Sequence, residues 1–141
     1  MKNKNKIDKI TFIGMGLINS SLARDLKSNK FYKSSTAYSR RKSTLKKIEK
    51  LNLVDYVESD LEKSVLDADL IIVGIPVAAY EETFRQIRYN LKPGAIITDV
   101  GSVKKEVINI IGGDGKHHHT DFEQSSRKLY NFNDRILYPC K

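Results

Sequence analysis

The sequence has no tryptophan and one cysteine in 141 residues, and that cysteine, Cys140, is the penultimate residue. A single thiol can form no internal disulfide and build no cysteine-rich metal centre, which suits a reducing, cytoplasmic location. Long apolar runs are missing as well. The first, Ile10 to Ile13, follows a Lys/Asn-rich start and breaks at Gly14. It is too short for the core of a secretion signal and far too short to span a bilayer, so no membrane role is expected. Acid is in deficit: 17 Asp and Glu stand against 25 Lys and Arg, a formal net charge of +8. Such a balance fits nucleic acid, a membrane surface or a phosphate-bearing ligand, and the position of the charge decides among them. It gathers at Lys2, Lys4, Lys6 and Lys9, across Arg40 to Lys50, and again in the last third. Basic termini are ordinarily solvated, so no nucleic-acid partner is expected.

What is present is an ordinary globular composition, 40% hydrophobic and 30% charged. The length suits one domain, since single cores run to about 100–200 residues. The chain divides into a basic tail over 1–8, a folded unit over 9–111 and an atypical, partly flexible tail over 112–141. Within the folded unit, β-branched apolar runs alternate with stretches of helical spacing. Strands are expected at Lys9 to Gly14, Ser35 to Ser39, Tyr56 to Ser59, Leu70 to Gly74 and Ala95 to Asp99. Between them, helices are expected over Leu17 to Leu26, over Ser43 to Leu51 with Ser43 or Thr44 as N-cap, over Asp60 to Asp67 capped by Asp60, over Ala79 to Asn90, and over Val103 to Ile111. The inward face of the second helix would be Leu45, Ile48 and Leu51. Strands apolar on both faces, alternating with amphipathic helices, give an α/β fold with a parallel sheet covered on both sides. Beyond Gly112-Gly113-Asp114-Gly115 the rhythm stops. Asp121 to Tyr130 reads as one helix, with no further strand-helix unit.

The first strand runs into Gly14-Met15-Gly16-Leu17-Ile18-Asn19, which matches the first two glycines of the dinucleotide fingerprint G-x-G-x-x-G between a strand and a helix. The first glycine permits a tight turn, and the second lets the backbone approach a pyrophosphate at the positive end of the helix. Asn19 stands where the third glycine, which serves close packing of helix on strand, is expected. About twenty residues on, an NAD site would present Asp or Glu to the ribose 2′-hydroxyl. Here Tyr38-Ser39-Arg40-Arg41-Lys42 supplies a hydroxyl and three cations instead. That is the chemistry for holding a 2′-phosphate, and it favours NADP. A solvated basic loop is the plainer alternative, because Lys46, Lys47 and Lys50 charge the following helix anyway.

The run Ile13 to Ile18 with Ser21-Leu22-Ala23 resembles the opening of prephenate and arogenate dehydrogenases, where G-L-G-L-I-G-G-S-L-A is usual; Asn19 and Ser20 replace its glycine pair. Ala68 to Val73, Pro76-Val77 and Leu91 to Lys104 are similar to the same family in order and spacing, most specifically at Asp99-Val100-Gly101-Ser102-Val103-Lys104. The Ser-Arg pair after the second strand is similar to the arogenate-type members that use NADP. The resemblance extends from about Ile10 to Ile111 and implies a Rossmann-type, doubly wound sheet. It implies further that Gly14, Met15, Gly16, Leu17 and Ile18 cradle the pyrophosphate, and that Ser39, Arg40 and Arg41 hold the 2′-phosphate. Pro76 would line the nicotinamide pocket, besides turning the chain. Ser102 would contact the hydroxyl of a small-molecule substrate, prephenate or arogenate, besides capping the helix at Val103.

The family's reaction, an oxidative decarboxylation toward tyrosine, uses a histidine to accept the hydroxyl proton, carried in an H-P-x-A-G motif after D-V-G-S-V-K. This sequence has no such motif. Its histidines, His117, His118 and His119, read as a solvated loop, with adventitious metal binding second, and no metal site is expected. The family's helical C-terminal domain, which makes its dimer, is absent by length, so a truncated product is expected. Two alternatives stay open: a non-catalytic NADP-binding remnant, and another Rossmann oxidoreductase of the β-hydroxyacid dehydrogenase or imine reductase type. The D-V-G-S-V-K stretch speaks against the last.

Overall fold

The computed structural model of the chain describes residues 7–100, 128–131 and 137–139. In chain order its elements are β1 (Lys9–Ile13), α1 (Leu17–Ser28), β2 (Ser34–Tyr38), α2 (Lys42–Lys50), β3 (Tyr56–Glu58), α3 (Leu61–Ser64), β4 (Leu70–Val73), a 3-10 turn (Val77–Ala79), α4 (Tyr80–Ile87), β5 (Ile96–Asp99), β6 (Lys128–Asn131) and β7 (Leu137–Pro139). One sheet takes them in the order β3-β2-β1-β4-β5-β6-β7. All pairs are parallel except β6 with β7. The first six strands follow the doubly wound order 3-2-1-4-5-6.

The apolar runs are central strands for a physical reason. In β4 the side chains alternate between two cores: Ile71 and Val73 pack with Leu61, Tyr80 and Phe84 of α3 and α4 on one face, while Ile72 packs with Phe12, Leu45 and Ile48 on the other. A strand sandwiched this way needs apolar residues at every position. Each fully buried Ile or Phe contributes about 1.5–3 kcal/mol, whereas exposed ion pairs such as Lys33 with Asp8 are screened by solvent and contribute little. The two apolar layers therefore carry the fold.

Several expectations are corrected. Arg41, not Ser43 or Thr44, is the N-cap of α2, and it makes no side-chain cap bond. Instead the Ser39 hydroxyl oxygen accepts from the Arg41 N–H at 3.2 Å, starting the helix early. Leu51 is 60% exposed, because Asn52 at φ +50° turns the chain and sends Leu53, 3% exposed, into the core in its stead. Leu17 and Ile18, read as part of a helix's apolar spacing, are 86% and 59% exposed. Asp60 does cap α3, accepting from Lys63 N–H at 3.2 Å. Of the helix expected over Asp121 to Tyr130, residues 121–127 lie outside the described residues, and Lys128 to Tyr130 belong instead to strand β6, whose backbone pairs with β5. That pairing satisfies a row of main-chain groups along β5 that a helix would leave open. The helix expected over Val103 to Ile111 lies outside the described residues.

Candidate dinucleotide-binding cleft

The chain runs outward from β1 to β2 and β3, then returns to β4 on the other side of β1, so the connections leaving β1 and β4 part in opposite directions. A crevice opens between their carboxyl ends. Ile13, the last residue of β1, is level with Tyr38 in β2 and Val73 in β4, and Val73 is level with Asp99 in β5. Four strand ends thus deliver their following loops to one edge of the sheet: Gly14-Met15-Gly16, Ser39-Arg40-Arg41, Gly74-Ile75-Pro76 and Val100.

The glycine turn is held from both sides. The Gly14 N–H donates to Tyr38 O at 3.4 Å, and the Gly74 N–H donates to Ile13 O at 2.8 Å. Gly14 sits at φ +85°, and a Cβ there would lie 2.6 Å from Gly74 O and 2.7 Å from Ile75 Cγ2. Both facts demand glycine. Gly16 differs: it is the N-cap of α1 in extended conformation, and a Cβ there would meet nothing within 4 Å. Its missing side chain leaves an approach to the backbone open. The first turn of α1 has no side-chain cap and no acidic residue, so N–H groups that no helical carbonyl can reach face that approach.

A cleft of about 480 Å³ lies there, walled by Gly16, Leu17, Ile18 and Asn19 on one side and by Gly74, Ile75, Pro76, Val77 and Val100 on the other. Its positive helix end and apolar walls suit a ligand with an anionic linker and flat rings, so the residues present fit a dinucleotide. The structure brings Gly16, Leu17, Ile18 and Pro76 into one wall-to-wall site. Gly14 stands behind it, and Met15 packs onto the core face around Phe12. Ser39, Arg40 and Arg41 leave the sheet one strand away, about 5 Å in the spacing of a sheet, with both arginines exposed. Partial burial pushes the Tyr38 phenol above its usual range, and the nearby Arg40 guanidinium works against that rise. Ser102 and His117 to His119 lie outside the described residues.

Three residues escaped the sequence reading. Asn19, in sequence only a departure from the fingerprint, is 1% exposed, and its Nδ2 donates to Gly14 O at 2.7 Å. Gly74, in sequence merely a strand end, is one at which a Cβ would lie 2.5 Å from Asn19 Nδ2. Tyr80, fully buried beneath the end of β5, has its phenol pushed up to about 12 by burial, with the Asp99 carboxylate adding to the rise. The only signal for the first two was reciprocal: a large residue where the fingerprint wants glycine, and a glycine where the facing strand wants none.

The family model for the nucleotide-binding domain of prephenate dehydrogenase matches residues 22–120. The chain belongs to that family. It is 35% identical over 102 residues to a cyclohexadienyl dehydrogenase of Zymomonas mobilis, a match that covers 72% of this chain and 35% of that protein. The crystal structure of Synechocystis arogenate dehydrogenase superposes with a TM-score of 0.63 at 31% identity, over 72% of this chain and 37% of that one. A prephenate dehydrogenase from A. aeolicus, solved in complex with hydroxyphenyl propionate and NAD+, shares the fold at 21% identity and a TM-score of 0.63, over 74% of this chain and 38% of that one. The chain thus spans about a third of the length of these relatives. Among the described residues no helix is long and apolar enough to cross a membrane.

Proposed function

We infer that the cleft binds NADP and that the chain is the cofactor-binding part of an oxidoreductase acting on prephenate or arogenate. Gly16, Leu17 and Ile18 hold the pyrophosphate at the mouth of the turn that Gly14 and Met15 shape from behind, Ser39, Arg40 and Arg41 hold the 2′-phosphate, and Pro76 borders the nicotinamide. Bound there, the nicotinamide supplies the hydride acceptor of an oxidative decarboxylation, and Ser102 contacts the substrate's hydroxyl. The observation that carries the choice of NADP is the end of β2: a hydroxyl and two exposed guanidinium groups stand where an NAD site presents a carboxylate. The Ser39 hydroxyl accepts from the Arg41 N–H, which ties the serine to the start of α2 beside both arginines.

Titration calorimetry with NADP and NAD tests this. Arg40→Ala is expected to weaken NADP roughly tenfold or more, the loss of one charged hydrogen bond, and to leave NAD unchanged. Unchanged NADP affinity, or tighter binding of NAD by the unsubstituted protein, overturns the assignment. A second reading, binding without turnover, is favoured by one observation: the 141 residues contain no H-P-x-A-G motif, and their histidines fall only at 117–119.

A further inference from the structure

The geometry points to Asn19 as a positioning residue for the pyrophosphate turn, a role that rests on the cleft's being a dinucleotide site. The fingerprint puts glycine here to let the helix close on the strand. In this chain a carboxamide fills the space instead, 1% exposed, in the wall of the cleft. It fits because the strand opposite supplies the missing glycine: the Asn19 amide lies across the Cα of Gly74, so close that a Cβ there would be 2.5 Å from Nδ2 and 2.9 Å from Cγ.

What the amide does from that position follows from its partners. Nδ2 donates to the Gly14 carbonyl at 2.7 Å, and the reverse orientation would set two acceptors face to face, so the direction of the bond is determined. Oδ1 has no hydrogen-bond partner among the described residues. One bond therefore anchors the side chain, and that bond grips the residue at φ +85° on which the direction of the following N–H groups depends. The strand bonds fix the N–H of Gly14 and the carbonyl of Ile13 but leave the Gly14 carbonyl loose, and the Asn19 tether fixes that carbonyl too, holding the turn directed at the cleft before any ligand arrives. Preorganisation of this kind shows in affinity, because ordering that is already present is not required on binding.

Asn19→Ala and Asn19→Gly both remove the donor and leave Gly74 uncrowded. Each variant is titrated with NADP, with NAD and with 2′-AMP, which has the 2′-phosphate and no pyrophosphate. Roughly three- to tenfold weaker binding of both dinucleotides is expected, the worth of one hydrogen bond, with the NADP to NAD ratio and the 2′-AMP affinity at parental values. A structural role alone would lower the melting temperature and leave dinucleotide affinity in the folded range untouched. Parental affinity for the dinucleotides in either variant that still binds 2′-AMP, or an equal loss for 2′-AMP, overturns the assignment. Failure of the underlying reading looks different: the unsubstituted protein would bind neither dinucleotide, or Arg40→Ala would have no effect while the Asn19 variants still weakened NAD.

Discussion

Position 19 and position 74 have exchanged the roles that a glycine fingerprint normally assigns within the first helix. Glycine at 74 is imposed by sterics alone, since no positive φ is recorded for it; its whole requirement is the room taken by Asn19. That makes a clean stability prediction. Gly74→Ala overpacks the contact and is expected to cost about 1–3 kcal/mol in urea unfolding, and adding Asn19→Gly to it should recover most of the loss. If the double variant is as unstable as the single, the crowding comes from elsewhere. Gly14→Ala has no such rescue, because its Cβ meets the Gly74 carbonyl, a backbone atom, and its φ is left-handed besides.

Among elements, the start of the sheet is tied by one carboxylate. Asp69 Oδ2 accepts from the N–H of Asp8 at 2.8 Å and of Lys9 at 2.9 Å, and its other oxygen pairs with Lys92 in the loop before β5. Partial burial opposes its charge, but the Lys92 ammonium and the two N–H donors outweigh that and hold the carboxyl below its usual range. A group with a depressed folded pKa stabilises above its unfolded value of about 4 and loses that contribution as the pH falls below it. Asp69→Asn should therefore cost roughly 1–2 kcal/mol at neutral pH, and its deficit against the parent should shrink as unfolding is measured in increasingly acid buffer; a constant deficit would refute the linkage. The strands and helices up to β5 were legible because two-sided burial writes itself into sequence as unbroken Ile and Val. The cap of α2 and the fate of Leu51 were not, because each turns on a local choice, the Ser39 hydroxyl and the left-handed Asn52, that no periodicity records. Strand β6 was hidden for a related reason: its partner, the edge of β5, lies about thirty residues back in the chain, and a short mixed segment takes its conformation from what it pairs with.

For the molecule as a whole, the glycine turn was legible because its chemistry is local in sequence, and the Asn19–Gly74 pairing was not, being a contact across 55 positions that only the fold creates. Saturating NADP, at about a hundred times its Kd, should raise stability by about 2.7 kcal/mol and the melting temperature by on the order of 10 °C. With NADP and either prephenate or arogenate, these 141 residues alone should give no increase in the absorbance of reduced nicotinamide; steady turnover would sink the reading of binding without catalysis.

The end of β2 has a consequence for how such a protein changes over time. The core closes at Tyr38, and the three residues that follow contribute a hydroxyl and two exposed guanidinium groups to the surface and nothing to either apolar layer. If these residues hold the 2′-phosphate as proposed, substitutions there would alter which nucleotide is preferred while the scaffold's foldability is spared, so cofactor choice could drift or be redesigned in a few steps, whereas the turn after β1, locked between neighbouring strands, admits almost none.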